Sequence, residues 1–322
     1  MTGRDDARWL AAAANLAERA RPRSRPNPAV GAIIVRDGRV VARGWTQPGG
    51  RPHAEAVALA QAGDLVRGAT LYVTLEPCAH RSERGPACAD LVAASGIARC
   101  VVGVADDDPR TSGAGMARLR TAGIATHCAD DAVCRESLAG YMLRRREGRP
   151  HVTLKLATSL DGAIALASGE SRWITGAEAR AHAHRERARA DAILVGGGTL
   201  RTDEPRLDVR LPGLEERGPE RWVMTHGSVP AGWQALDGPE AIRAPAMAGA
   251  QYLLVEGGAQ AAAAFLRAGL VDRLLLYRAP ILIGAGLPAL GDIGLASLGQ
   301  AHGRWRLADR RRLGHDTLEI YH

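Results

Sequence analysis

Lysine is almost absent from this chain. Lysine and arginine together number 42, yet Lys155 is the only lysine among the 322 residues. Wherever a plain positive charge suffices, the chain uses arginine. The single compact ammonium therefore marks a candidate site that needs a point charge rather than a planar fork; one lysine left behind by drift is the alternative. Aromatic residues are also scarce, at 4% with a single phenylalanine, so no platform for stacking bases is evident. No apolar run is long enough to span a membrane, and no leader-like pattern opens the chain.

The cysteine count is five, odd, and unaccompanied by a secretory pattern. That argues for a reducing, cytoplasmic setting with thiols as ligands or core residues. The net charge of +7 and pI of about 9.6 would admit a nucleic-acid partner. The basic residues are scattered among acidic ones, however, which favours small phosphorylated ligands instead. The length accommodates two domains with separate cores, and 46% hydrophobic with 24% charged residues reads as soluble and globular.

The densest chemistry lies in His53-Ala54-Glu55, followed by Pro77-Cys78 and Cys88. One imidazole and two thiolates can hold a zinc ion, leaving the fourth position for water, with a nearby carboxylate that is not a ligand. This is the donor set of a hydrolytic zinc deaminase, with Glu55 as proton carrier. Nine residues separate the two cysteines, where many such enzymes have Cys-x-x-Cys. A structural zinc site closed by His80 as fourth ligand is the competing reading, and a chance grouping of buried residues the blandest one.

The pattern around these residues alternates helices and strands. A helix is expected over Asp5–Ala20, ended by three prolines between Arg21 and Pro28. Strands are expected at Ala32–Val35 and Val40–Gly44 around an Asp37-Gly38 turn. His53–Gln61 reads as a helix, Thr70–Leu75 as a strand with a new helix possible at Cys78, and Cys88–Gly96 as another helix. Arg99–Val104, Ala114–Ala122, Ile124–His127 and a closing helix over Asp130–Glu147 complete an α/β unit covered on both faces. Gly148-Arg149-Pro150 is a helix stop and the expected boundary.

Beyond it, His151–Thr158 alternates as a strand, placing Lys155 on one face. A helix is expected over Ala177–Arg189. Two further strands, Ala192–Val195 and Tyr252–Val255, each run into glycines, Gly196-Gly197-Gly198 and Gly257-Gly258. Each forms a plausible phosphate cradle where a helix begins, although a glycine run is more often only a loop and neither is the Gly-x-Gly-x-x-Gly fingerprint. Leu274–Tyr277 and Ala279–Ile283 are expected as later strands of the same sheet.

Asn27-Pro28-x-Val30-Gly31, His53-Ala54-Glu55, Leu75-Glu76-Pro77-Cys78-Ala79-His80 and Gly85-Pro86-Ala87-Cys88 resemble the deaminase half of the bifunctional riboflavin-biosynthesis deaminase/reductase family. Leu154-Lys155-Leu156-Ala157-x-Ser159-Leu160-Asp161-Gly162, Gly169-Glu170-Ser171-x-Trp173-Ile174-Thr175, Asp203-Glu204-Pro205-x-Leu207 with Arg210, and Val255-Glu256-Gly257-Gly258 resemble its reductase half. The resemblance implies a cytidine-deaminase-like three-layer α/β/α domain over residues 1–147 and a dihydrofolate-reductase-like α/β domain over 148–322. It implies Zn²⁺ on His53, Cys78 and Cys88, Glu55 as proton shuttle, and Asn27, Arg84 and Asp106 at the deaminase substrate, Arg84 at its phosphate. In the second half it implies NADPH against Ala157, Trp173, Thr199, Asp203 and Gly258. Substrate would meet Ser171, Arg187, Leu207, Arg210 and Glu256, with Lys155 and Asp203 nearest the hydride transfer.

The implied partners are a phosphorylated pyrimidine and further copies of the chain in a homo-oligomer, with neither nucleic acid nor membrane. Three departures stand out: Thr46 where a His is often found, Met224-Thr225-His226 where an Asp-Ser pair is often seen, and a thin match over Leu211–Ala250. Two other readings remain at this stage. One is a deaminase of another base, nucleoside or tRNA with a repurposed second half; the other is a zinc-stabilised binding protein.

Overall fold

The computed structural model describes residues 3–322; Met1 and Thr2, where the expected first domain begins, lie outside the described residues. The chain divides into two compact units, the first ending at Gly148 and the second running from Arg149 to His322.

The first unit opens with helix α1 (Gly3–Ala17), continued by a 3-10 turn to Ala20. Strands β1 (Gly31–Arg36) and β2 (Arg39–Trp45) form an antiparallel hairpin, and Asp37 and Gly38 take the positive φ values of 49° and 72° that a tight hairpin turn requires. Then follow α2 (Ala54–Ala62), β3 (Thr70–Leu75), α3 (Cys88–Ala93), β4 (Arg99–Val104), α4 (Ala114–Thr121), β5 (Ala125–Cys128), α5 (Ala132–Ser137) and α6 (Ala139–Glu147). The sheet order is β2-β1-β3-β4-β5, antiparallel at β2, β1 and β3 and parallel from β3 to β5.

Helices cover both faces of this sheet, and glycine sets how closely. A Cβ on Gly31 would lie 2.0 Å from the Ala13 carbonyl oxygen of α1. A Cβ on Gly44 would lie 2.1 Å from the Ala54 carbonyl oxygen in the first turn of α2. Gly44 pairs with Ala32, the residue after Gly31, so the two glycines face opposite sides. Alanines at 54 and 58, fully buried, keep α2 thin enough for this approach. The bidentate Arg99–Asp6 pair, at 2.8 and 2.6 Å, ties the start of α1 to β4, and Tyr72 donates to the same carboxylate at 3.0 Å.

The second unit contains β6 (His151–Thr158), β7 (Ala163–Ala165), α7 (Ala177–Arg187), β8 (Ala192–Gly196), α8 (Gly197–Asp203), β9 (Glu220–Met224), β10 (Trp233–Leu236), β11 (Tyr252–Val255), α9 (Ala259–Arg267), β12 (Arg273–Arg278), β13 (Leu287–Pro288), β14 (Leu307–Leu313) and β15 (Asp316–Tyr321). Eight of the strands form one sheet in the order β10-β9-β8-β11-β6-β12-β15-β14, parallel as far as β12 and antiparallel at the last two. Val152 and Leu154 of β6 are buried with Phe265 and Leu266 of α9. Leu275 and Tyr277 of β12 pack with Ala179 of α7, Leu318 and Ile320. Because β8 and β11 are parallel neighbours, both glycine turns emerge together at the carboxyl end of the sheet, where α/β folds place ligands.

Several expected elements differ. No helix begins at Cys78: residues 76–87 form a loop pinned by a Ser82–Gly85 bridge, and Gly85 has φ 138°, outside helical geometry. The single closing helix over 130–147 is two helices. Asp131 caps α5 by accepting from the Cys134 N–H at 2.9 Å, and buried Leu138 breaks the run at φ −101°, ψ 3°. Ala279–Ile283 is not a strand; its backbone is held by the 159–162 turn, with Leu160 N–H donating to Ile281 and Asp161 accepting from Ile283 and Gly284. The C-terminal hairpin β14–β15, the edge strand β10 and its neighbour β9 were not anticipated.

The Gly44 approach gives a direct prediction. Gly44→Ala overpacks β2 against the α2 backbone, and such overpacking costs about 1–3 kcal/mol. The variant is expected to melt at lower temperature and to hold less zinc, because α2 carries His53 at its start; calorimetry and metal analysis check both.

Candidate active sites

His53 is the residue that caps α2, with extended φ/ψ of −71° and 163°, and Glu55 lies in the helix's first turn. Cys88 is the first residue of α3, and Cys78 sits in the loop after β3. His53 Nδ1 faces both sulfurs, at 3.6 Å from Cys78 Sγ and 3.3 Å from Cys88 Sγ. All three donor atoms lie within 4.8 Å of one another. Zinc at about 2.3 Å from sulfur and about 2.0–2.1 Å from nitrogen, in tetrahedral geometry, sets N···S edges of about 3.6 Å. The three residues therefore fit zinc. His80 is not part of the cluster; its Nδ1 lies 3.5 Å from Thr111 Oγ1, so among the described residues the protein supplies three donors and leaves the fourth position open.

Electrostatics in the cluster follow from burial and contact. The Cys88 backbone N–H donates to Cys78 Sγ at 3.3 Å, so the dipole expected at a helix beginning at Cys78 comes instead from the start of α3. Hydrogen bonding from Cys88, then from His53, brings the Cys78 thiol down to about 4, while the facing Cys78 sulfur and burial push Cys88 up. Burial pushes the Glu55 carboxyl up to about 7, with His53 opposing.

The other expected deaminase residues divide. The Asn27 amide nitrogen donates to Gly50 O at 2.9 Å and lies 3.3 Å from His53 Nε2, so Asn27 joins the cluster. Arg84 lines a cavity of about 420 Å³ with His53, Ala56, Cys88 and Leu91. Asp106 is buried and engaged: Tyr141 donates to it at 2.9 Å and the Asp108 N–H at 2.9 Å. Thr46 is fully buried and exchanges hydrogen bonds with Val30 at 3.0 Å, so its hydroxyl serves the backbone. Two residues had no sequence role. Glu76 accepts from the backbone N–H groups of Gly113 and Met116, both at 3.0 Å, and of Asp106 at 3.3 Å, anchoring the loop that carries Asp106. Arg51 lines the same cavity as Arg84. Its one sequence signal was a basic residue two places before His53, inside a loop of prolines and glycines.

In the second unit, Lys155 projects from β6 toward Glu256 at the end of β11, with Nζ 3.7 Å from Oε2. Arg187, near the end of α7, grips the same carboxylate through Nε at 2.6 Å and Nη2 at 2.8 Å. Burial raises the Glu256 carboxyl, but Lys155 and Arg187 outweigh it and hold it below its ordinary value. Arg187 Nη1 also donates to Asp208 O at 3.0 Å, and Arg210 reaches the Asp208 carboxylate at 3.4 Å. Lys155, Glu256, Arg187 and Arg210 are thus linked in one charged chain.

The glycine turns meet behind it. Gly258 has φ 72°, and a Cβ there would lie 2.9 Å from Thr199 Oγ1 in α8; a Cβ on Gly257 would lie 3.0 Å from Val195. Only glycine allows this close backbone approach, and such paired turns fit the phosphates of a dinucleotide. Thr225, from the departing Met224-Thr225-His226 segment, stands beside this cradle: a Cβ on Gly197 would lie 3.1 Å from its Oγ1. Asp203 ends α8, its carbonyl accepting from Arg172 at 3.2 Å. Trp173 is exposed, with the Arg180 guanidinium 4.6 Å from its ring centre. Ser171 is half-buried in the same loop, and Ala157 packs at the margin of the α7 core. Leu207 points its side chain into the core. Its side chain is buried among Ile193, Val195 and Leu254, so any ligand contact there falls to its backbone, which has φ 50°.

Comparison with known proteins covers both units. The family described as "Cytidine and deoxycytidylate deaminase zinc-binding region" matches residues 4–104, and the "RibD C-terminal domain" family matches 150–318. The riboflavin biosynthesis protein RibD of Escherichia coli is 37% identical, covering 97% of this chain and 98% of its own. RibD of Aquifex aeolicus is 36% identical, with 91% and 92% covered, and that of Mycobacterium tuberculosis 39%, with 91% and 90% covered. Among solved structures, Acinetobacter baumannii RibD superposes with TM-score 0.85 at 31% identity over 99% of this chain and 98% of its own. The Thermotoga maritima diaminohydroxyphosphoribosylaminopyrimidine deaminase/5-amino-6-(5-phosphoribosylamino)uracil reductase superposes with TM-score 0.86 at 29% identity, with the same coverage. With both halves matched in order and whole-length relatives above 30% identity, this chain belongs to the RibD family of bifunctional riboflavin-biosynthesis deaminase/reductases.

Proposed function

We propose that this chain catalyses two consecutive steps of riboflavin synthesis. Residues 1–147 deaminate 2,5-diamino-6-(5-phosphoribosylamino)pyrimidin-4(3H)-one hydrolytically, and residues 148–322 reduce the ribosyl group of the product to ribityl with NADPH. The observation that carries the reading is the convergence of His53 Nδ1 with the Cys78 and Cys88 sulfurs, with Glu55 buried in the adjacent helical turn. It occurs in a chain similar over its whole length to deaminase/reductases. That full-length similarity favours this reading over a deaminase with a repurposed second half and over a zinc-stabilised binding protein.

His53, Cys78 and Cys88 would hold zinc, which would supply a Lewis acid able to bring the pKa of water to about 7. Glu55, held out of bulk water by α2, takes one proton from water as it attacks the carbon bearing the 2-amino group and passes it to the ring nitrogen. It then carries the remaining hydroxyl proton to the amino group, which leaves as ammonia while the carbon becomes a carbonyl. Asn27 and Asp106 orient the pyrimidine and ribose, and Arg84 meets the phosphate. In the second unit Ala157, Trp173, Thr199, Asp203 and Gly258 would hold NADPH, whose chemistry there would be hydride donation to the sugar carbon. Lys155 donates a hydrogen bond to the ribosyl ring oxygen as its bond to the sugar carbon opens, that oxygen takes a proton from solvent to become a hydroxyl, and Glu256 fixes the ammonium. Ser171, Arg187, Leu207 and Arg210 hold the substrate. Asp203 lies beside the transfer. The working form is a cytoplasmic homo-oligomer with small-molecule ligands; among the described residues no helix is long and apolar enough to cross a membrane.

Two substitutions separate the chemistries. Glu55→Gln is expected to slow deamination by about 10²–10⁴-fold, the usual worth of a positioned acid–base group, while zinc remains bound. Zinc loss on metal analysis of that variant would show that Glu55 is a ligand instead. Lys155→Ala is expected to leave deamination within about twofold of the parent and to lower NADPH-dependent reduction by about 10²-fold or more, because a charge-assisted hydrogen bond is lost at the reacting sugar. Separate assays of ammonia release and NADPH oxidation check this, and equal loss of both activities would contradict two independent sites.

A further inference from the structure

Arg51 is a cation whose charge acts on the metal cluster, favouring the Cys88 thiolate and opposing a charged His53. It lines the cavity beside the metal cluster with Arg84, and among the described residues its side chain makes no hydrogen bond or ion pair. Its place is set by neighbours: a Cβ on Gly85 would lie 3.3 Å from Arg51 Nη1, so Arg51 passes directly over the residue next to Arg84. Arg84 donates one N–H to Gly49 O at 2.9 Å, two residues before Arg51, which ties the two loops together and leaves its other donors available. Besides His53 and Cys88 of the cluster, the remaining lining is apolar or small: Pro52, Ala56, Gly85, Pro86 and Leu91. Among the described residues no carboxylate lines this cavity. Thr46, at a loop position where a His is often found in the family, turns inward to Val30 and contributes no charge.

We propose that Arg51 and Arg84 together form a two-guanidinium subsite for the phosphate of the deaminase substrate, with Arg51 as a specificity-determining residue. Two adjacent guanidinium groups, each with donors to spare, match the oxygens of a phosphate dianion, which accepts paired N–H groups. The inference rests on the deaminase reading above. It adds that recognition of the phosphorylated substrate depends on a residue of the loop leading into His53, so that phosphate binding orders the segment that carries a metal ligand.

The test compares the parent enzyme with R51A, R51K and R84A, each zinc-loaded. Deamination of the phosphorylated pyrimidine is measured against its dephosphorylated riboside. The ratio of kcat/KM for the two substrates is expected to fall about 10- to 100-fold in R51A and in R84A, mainly through KM, the usual worth of a charged hydrogen-bonding pair. R51K is expected to fall between, because it keeps the charge and loses the fork. An unchanged ratio in R51A would overturn the proposal, and so would an equal fall for both substrates, which would make Arg51 a residue of the metal environment. Calorimetric titration with ribose 5-phosphate reads the subsite separately. Weakening by R51A and R84A supports it, even where the parent fails to deaminate the pyrimidine and the deaminase reading itself falls. Equal affinity in parent and R51A overturns it.

Discussion

Three donor atoms from distant parts of the chain meet because α2 is pressed onto the β1–β2 hairpin. Residue 53 closes a loop and caps the helix, and this places its ring where Cys78 and Cys88 arrive from the loop after β3 and the start of α3. The α2 backbone can come this near only because residue 44 has no side chain and residues 54 and 58 have the smallest ones. Glu55, one residue into the helix, is thereby buried beside the cluster without being needed as a ligand. Glu76 performs a related task on the far side, using one carboxylate to hold three backbone N–H groups and with them the loop of Asp106. The first unit is thus a set of close backbone approaches that fix polar side chains around one buried point.

The second unit solves a different problem with the same economy of atoms. Adjacent parallel strands β8 and β11 deliver two glycine turns to one edge, and β6 delivers the single lysine beside them. Glu256 would be costly to bury alone; Lys155 and Arg187 keep it charged, and it in turn fixes both cations. That reciprocal arrangement explains why a point charge and a fork coexist at one carboxylate, and why lysine survives at this place in a chain that otherwise uses arginine.

Much of this was legible in the residue pattern. β3, β6 and β11 run over the expected residues because short apolar stretches bounded by glycine, proline or charge leave little choice. The grouping of His53, Cys78 and Cys88 was readable from residue type and order, although the helix thought to serve Cys78 proved to be α3. The hairpin β14–β15 was not legible, since Arg310-Arg311-Arg312 lies on an exposed edge strand with no apolar alternation. Leu138 did not announce a break because an apolar residue inside a helical pattern carries no stop signal. That the Leu207 side chain is core, leaving only its backbone for a ligand contact, was not legible, as burial depends on β8 and β11, which the local pattern does not report. Arg51 was invisible for a similar reason: a basic residue in a proline- and glycine-rich loop acquires meaning only when the fold brings Arg84 beside it.

The most direct measurement is mass spectrometry of the products formed by the zinc-loaded protein from the diaminopyrimidinone ribosylamine phosphate, with and without NADPH. The account predicts conversion of one amino group to oxo in both reactions, and a gain of two hydrogens only when NADPH is present. Deamination with no hydrogen gain, or no conversion by folded and metallated protein, would contradict it.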